Sequence, residues 1–333
     1  MTMYLVTGGC GFIGSHLCDA LIRDGASVRV LDNLSTGSPD NIPADVELMR
    51  GDVADAAAVT AAMSGVDGCF HLAAVASVER SRQDWLGAHR TNVSGAVAVF
   101  DAARHAGRRH PVPVVYASSA AVYGDCASLP IREDAEKRPA SAYAADKYGC
   151  ELHARIASEL HGVPAIGLRF FNVYGPRQDP KSPYSGVISI FCDRVRRGQP
   201  IDVFGDGSQT RDFIFVEDAV AALVAAMRRR PAAPAVFNIC SGRQTSVVEL
   251  AETISQVCGR WPDIRHRPPR PGEIVHSLGD CSAARRLLGL PTATELRIGL
   301  WATLFWMESL GTPRLPCAGA IDEATVEPHL EPA

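Results

Sequence analysis

The first half of the chain alternates short apolar runs with stretches of helical periodicity. "MYLVTG" at 3–8 reads as a buried strand, and from Gly11 to Asp24 the apolar Ile13, Leu17, Leu21 and Ile22 fall on one helical face. "SVRVLD" and "VELMRGD" predict two further strands, followed by a helix over 55–64 and a strand at "GCFHLAA". A long helix over 84–107, a strand at "VPVVYASS", a helix from Tyr143 to Leu160 and a strand at "PAIGLRFFNVYG" continue the alternation. Strands separated by helices imply βαβ units, so the expected fold is α/β with a doubly wound parallel sheet. After Gly175 the texture changes to short strands, "PIDVFGDG", "QTRDFIFVED" and "AVFNIC", among Pro and Gly. We expect one domain over 1–170 completed by parts of 212–240, a smaller and less regular lobe over 171–311, and a tail over 312–333. No internal repeat is visible.

Composition narrows the function classes. A net charge of −4 gives no basic footprint, so no nucleic-acid partner is expected. The basic runs at 103–110 and 227–231 read as solvated helix ends. No apolar run approaches the roughly 18 residues that suggest a membrane span, and "MTMYLVTGG" has no basic segment of a signal peptide. Ten cysteines lie scattered without a CxxC pair or zinc spacing. They read as reduced thiols in a cytoplasmic protein, with no metal site.

The turn "TGGCGFIGSHL" after the first strand carries the first chemistry. It holds Gly9-x-Gly11-x-x-Gly14 and equally Gly8-x-x-Gly11-x-x-Gly14. Such glycines permit a tight turn and close approach to a pyrophosphate, which the following helix N-terminus holds. Asp32 closes the second strand eighteen positions past Gly14, near the ~20 expected of the carboxylate that binds adenosine ribose in a Rossmann sheet. The next residues, "NLSTG", offer no arginine for a 2′-phosphate, so NAD is expected over NADP. Asp52 of "GDV" is placed to accept from the adenine amino group.

"SAYAADKYG" sets Tyr143 and Lys147 four apart on one helix face. A free phenol keeps its proton at neutral pH, and a nearby ammonium favours the phenolate. Such a tyrosine can move a proton while a dinucleotide moves a hydride. A serine at the end of "VVYASSAAVYG" would bond the same substrate oxygen, but two serines stand there, Ser118 and Ser119, followed by Ala120 and Ala121.

Together these segments resemble the extended short-chain dehydrogenase/reductase family and, within it, the nucleotide-sugar 4-epimerases typified by UDP-glucose 4-epimerase. TGGCGFIGSH, Asp32, GDV, HLAA at 71–74, Asn92, SSAAVYG, YAADK, RFFNVYGPRQDP, TRDFIFV and RPGEI carry the resemblance over about Met3 to Leu290. It implies Ser119, Tyr143 and Lys147 as catalytic residues, with Ser118 capping or supporting the strand end. It extends the NAD contacts to Phe12, Ile13, Asn33, Ser35, Thr36, Gly37, Val53, Leu72, Ala73, Ala74 and Asn92, alongside Gly8, Gly11, Gly14, Tyr143 and Lys147. On the substrate side it implies Asn172, Val187, Phe204 at uracil, Arg211 and Arg270 at the diphosphate, and Ser277 at the sugar. Where a lysine contacts phosphate in some relatives this chain has Ala76. Family members often form homodimers through two long helices per subunit; 84–107 and 143–160 correspond.

Relatives that dehydrate or decarboxylate nucleotide sugars carry acids immediately after the catalytic hydroxyl; here those positions are Ala120 and Ala121. The resemblance therefore implies epimerisation at C4 of a UDP-sugar through a 4-keto intermediate with tightly bound NAD. Ser277 is small, which suggests room for an N-acetyl group. Three alternatives stay open. One is a UDP-glucuronate 4-epimerase, with Arg80, Arg82 or Arg177 facing the carboxylate. The others are an oxidoreductase that releases NADH and a non-catalytic NAD-binding sensor. Surface polysaccharide synthesis and galactose metabolism both suit the resemblance.

Overall fold

A computed structural model describes residues 2–107, 110–180, 186–229, 235–269 and 274–309. The predicted Arg270 contact and the tail over 312–333 lie outside the described residues. The chain runs β1 (Met3–Thr7), α1 (Phe12–Arg23), β2 (Ser27–Asp32), β3 (Glu47–Arg50), α2 (Ala56–Met63), β4 (Gly68–His71), α3 (Val78–Gln83), α4 (Trp85–His89) and α5 (Gly95–Ala106). Then come β5 (Val114–Ser119), α6 (Ala142–His161), β6 (Ala165–Phe170), β7 (Asn172–Tyr174), α7 (Val187–Arg196), β8 (Ile201–Phe204), β9 (Thr210–Arg211) and β10 (Phe213–Phe215). The remainder is α8 (Val216–Arg229), β11 (Ala235–Ile239), β12 (Thr245–Ser246), α9 (Val247–Cys258), β13 (Ile264–Arg267), α10 (Ser282–Leu288) and α11 (Leu296–Ser309).

Seven parallel strands form one sheet in the order β11-β6-β5-β4-β1-β2-β3. Every residue of β4 and β6 is buried, as a sheet covered by helices on both faces requires. Adjacent strand residues serve opposite faces: Val6 packs with Leu17 and Leu21 of α1 and Leu223 of α8, and Leu5 with Val59 of α2 and Val99 of α5. Strand order reverses between β1 and β4, where ligands bind in open α/β sheets. The carboxyl ends of these strands carry the glycine turn and the HLAA segment. A third core under α7, α9 and α11 includes Ile188, Phe191, Leu250, Ile254 and Leu304.

The helix expected over 84–107 runs on from Trp85 to Ala106 through α4, a π-helical turn at Arg90–Ser94 and α5, and Asp84 caps its start by accepting from Gly87 N. One element departs from the sequence reading. The strand expected through 175 leaves the sheet at Phe171. Phe171 N donates to Ile239 O of β11, whereas Asn172 N turns to Asp212 O, so β7 pairs with β10 in a separate sheet.

Candidate active site

The cradle is built by close approach. Gly8 has φ +71°, and a Cβ on it would come within 2.7 Å of Ala73 N. A Cβ on Gly14 would overlap Gly8 O, so α1 can press against the turn only with glycine there. At Gly11 helix α1 begins with no side-chain cap and no acid in its first turn. Two other helices of this domain are capped: Ser141 accepts from Ala144 N at α6, and Asp55 from Ala57 N at α2. The amides at Phe12 and Ile13 thus face a position with no protein carboxylate of its own, as a diphosphate requires.

Asp32 is buried and accepts from Cys10 N at 3.0 Å and Leu34 N at 2.8 Å, one bond to each oxygen. Each oxygen keeps acceptor capacity for a ribose hydroxyl. Asn33 donates to Asp52 at 3.1 Å and accepts from Ser35 N, and Ala54 N donates to Asp52. Val53 is buried, Thr36 is exposed, and the segment at Gly37 lies against Cys10, whose carbonyl accepts from Ser38 N.

Below the cradle, Ala73 N donates to Thr7 Oγ1, which is also hydrogen-bonded to His71 Nδ1 at 2.8 Å. Burial, then the charge of Lys147, pushes His71 down to about 3, so the imidazole is neutral. Leu72 N is held by Thr7 O, and Leu72, Ala73 and Ala74 line the exit from β4. Asn92 is buried at the loop that follows. Its amide is taken by Val75 N at 2.8 Å, Val75 O at 3.3 Å and Asp146 at 3.4 Å, so it shapes the loop after Ala74 instead of reaching outward.

At β5 the two serines divide their work. Ser118 is buried and donates to Glu151 at 2.5 Å. It supports the strand, while the cap belongs to Ser119, whose Oγ accepts from Ala121 N at 3.1 Å and starts the turn Ala120–Tyr123. With an acceptor site so used, the Ser119 hydroxyl keeps its proton to donate. Lys147 is buried on α6 and donates to Ala117 O at 2.9 Å. Ala117 and Ser119 share one face of β5. Tyr143, one turn before Lys147 and half-buried, is therefore carried to the same strand end.

Of the substrate-side residues, Phe204, Arg211 and Ser277 lie around β9. Ser277 N donates to Thr210 O, and Arg211 donates to the same carbonyl at 2.8 Å. Phe204 O accepts from Gln209 at 2.7 Å. Asn172 is exposed one hydrogen bond from Asp212, and Val187 opens α7, whose N-terminus carries no side-chain cap. The organiser of this patch, Asp212, escaped the sequence reading. Fully buried, it accepts from Ser241 N and Oγ, each at 2.7 Å, Gly242 N at 3.0 Å and Gly279 N at 3.3 Å. Burial raises its carboxyl, and these donors oppose the rise. An aspartate after an arginine in a strand-like run has no local mark of such a role. Among the described residues no three His, Cys, Asp or Glu side chains gather as a metal site.

Comparison with known proteins matches this architecture. The UDP-glucose 4-epimerase of Mycolicibacterium smegmatis is 38% identical over 311 residues, covering 90% of this chain and 96% of that one. The crystal structure of Thermotoga maritima UDP-glucose 4-epimerase with UDP-glucose superposes with a TM-score of 0.87 at 32% identity, covering 93% of this chain and 99% of that one. UDP-N-acetylglucosamine 4-epimerase from Methanobrevibacter ruminantium M1, in complex with UDP-N-acetylmuramic acid, gives 0.88 at 34%, with the same coverage. The family model described as NAD dependent epimerase/dehydratase matches residues 4–240, which span the cradle, Asp32, the serine pair, Tyr143 and Lys147, and the chain belongs to that family.

Proposed function

We propose that the protein epimerises a UDP-sugar at C4 with tightly held NAD. One observation carries the reading: β5 and α6 bring a serine hydroxyl free to donate and the Tyr143–Lys147 face to one strand end, and only the methyls of Ala120 and Ala121 follow. The dinucleotide, when bound, supplies the hydride acceptor and donor. The cradle fits it: the α1 amides and the glycine approach suit the diphosphate, and Asp32 suits an unphosphorylated ribose.

Ser119 donates to the C4 oxygen and holds it beside Tyr143. The Tyr143 phenolate takes the C4 hydroxyl proton and later returns it. Lys147, fixed on Ala117 O, offers its positive charge to that phenolate. Loss of water or of a carboxyl group would need a further acid or base after Ser119, and alanine supplies neither. Asn172, Arg211 and Arg270 are assigned to the diphosphate, Phe204 and Val187 to the nucleoside end, and Ser277 to the sugar at C2, where its size admits an N-acetyl group. Two arginines considered for a glucuronate carboxylate are already paired, Arg82 with Glu79 and Arg177 with Asp19, each at 2.8 Å, which favours a neutral sugar.

We place a homodimer contact on α4 and α6, which expose Trp85, Leu86, Leu152, Ile156 and Leu160, the last three a stripe along one helix face. The setting we assign is the cytoplasm; the nine cysteines among the described residues form no disulfide with one another.

The test is to offer UDP-glucose, UDP-N-acetylglucosamine and UDP-glucuronate separately to purified protein, without added cofactor, and resolve the C4 epimers by chromatography. Conversion of a neutral sugar is expected. Conversion of none, even with NAD supplied, overturns the reading, and stoichiometric free NADH would replace it with a net oxidoreductase.

A further inference from the structure

The turn that presents Ser119 is gripped at both ends by one buried ion pair. Glu151 and Arg169 form a two-bond pair at 2.7 and 2.8 Å, their side chains 6% and 4% exposed. At the entry to the turn, Glu151 takes the Ser118 hydroxyl at 2.5 Å. At its exit, Arg169 donates to the Tyr123 hydroxyl at 2.7 Å, with its guanidinium 4.9 Å from that ring's centroid. The Tyr123 hydroxyl passes its proton on to Asn238 at 2.6 Å, and Asn238 is in turn held by Ile131 O. Between the anchors lie only Ser119, Ala120, Ala121 and Val122.

The pair sits where it can set position. Ser118 and Arg169 are direct partners in the β5–β6 register. Glu151 is one helical turn beyond Lys147, which holds the preceding residue, Ala117. Three consecutive strand residues thus have separate fasteners: the Ala117 carbonyl on Lys147, the Ser118 side chain on Glu151, and Ser119 on its own turn. A buried ion pair is seldom more stabilising than apolar residues of the same volume. Its worth here lies in fixed direction: every bond it makes beyond the pair itself ends on this turn or on the segment behind it, Arg169 also donating to Glu133 O at 2.9 Å.

We propose that Ser118, Glu151, Arg169 and Tyr123 are positioning residues that aim the Ser119 hydroxyl at the C4 oxygen. This rests on the epimerase reading above. None of the four touches the sugar; they act by holding the turn from Ser119 to Tyr123.

Ser118→Ala and Tyr123→Phe each delete one hydroxyl and leave the ion pair intact. Each is expected to lower kcat about ten-fold or more, the scale of a small misplacement at the reacting atoms, with KM for the UDP-sugar and NAD content within two-fold of the parent. Combined, they should lose less than the product of the single losses, because releasing either end already frees the turn. Amide exchange over 119–123, read by mass spectrometry, should quicken in each variant. Folded variants with parental kcat and parental exchange at 119–123 overturn the proposal. If the parent protein turns over no UDP-sugar, the epimerase reading fails, and exchange alone then decides the grip on the turn: faster exchange supports it and unchanged exchange rejects it.

Discussion

The end of β5 and the patch around Asp212 are assembled by opposite means. At β5, the groups assigned to chemistry come from two short stretches, 117–121 and 143–151, joined by hydrogen bonds between one strand and one helix. Around Asp212, groups from 241–242 and 279 meet on one buried carboxylate, Arg211 and Ser277 meet on the neighbouring Thr210 carbonyl, and Asn172 N bonds the Asp212 carbonyl. The first arrangement is repeated local geometry, where strand alternation and the helical turn fix which side chains share a face. The second has no period. It depends on a carboxyl whose pKa burial raises and whose two oxygens four donors satisfy.

The comparison can be broken most sharply at Tyr143. Tyr143→Phe should cost 10²–10⁴-fold in kcat, the usual worth of a positioned acid–base group, with thermal midpoint and NAD content unchanged. Steady-state rates with calorimetry test it; a rate within ten-fold of the parent would remove Tyr143 from proton transfer. At the other region, Asp212→Asn should leave two donors poorly met, at about 1–3 kcal/mol each. We expect a lower midpoint in denaturant and a raised KM for the UDP-sugar with cofactor affinity kept. A loss of bound NAD instead would mean that the two regions are one mechanical unit. A finer probe is Ser277→Tyr, which should slow the N-acetylated sugar by about ten-fold or more while sparing UDP-glucose, since a clash in a pocket is worth a few kcal/mol. Equal turnover of both sugars by parent and variant would place the size filter elsewhere.

The smallest effect concerns His71, beneath the cradle. Its folded value is pushed down to about 3 by burial and by Lys147, whereas unfolded histidine titrates near ~6.5. The folded state therefore binds fewer protons between these values. The contribution is present above about 6.5 and is lost as pH falls toward 3. Unfolding free energy should drop by roughly 1 kcal/mol from this residue between pH 7.5 and 5.5, and His71→Gln should flatten that slope. An unchanged slope would assign the acid sensitivity elsewhere, His16 being a half-buried imidazole that is also shifted down.

Long-range bonds add to or overrule a local pattern at particular places. Residues 84–107 are helical as the spacing of their apolar positions predicts, but that spacing gives no sign of the π-helical turn at 90–94, within which Asn92 bonds Val75 and Asp146. "RFFNVYG" looks like one strand, but consecutive amides at 171 and 172 find carbonyls in different sheets. Ser118 and Ser119 are identical in sequence; only a buried Glu151 on one side and a free Ala121 amide on the other give them different work.

By itself the sequence determined the alternating α/β plan, the glycine cradle with Asp32, the Tyr143–Lys147 face and the methyls after Ser119. These follow from residue type and from the two backbone periods, which act within a few residues. The tertiary structure alone decided which serine keeps a free hydroxyl, that Asn92 faces inward, and that Glu151, Arg169 and Asp212 collect distant segments. A buried polar group must find its partners wherever the fold brings them, and that distance along the chain leaves no local pattern to read.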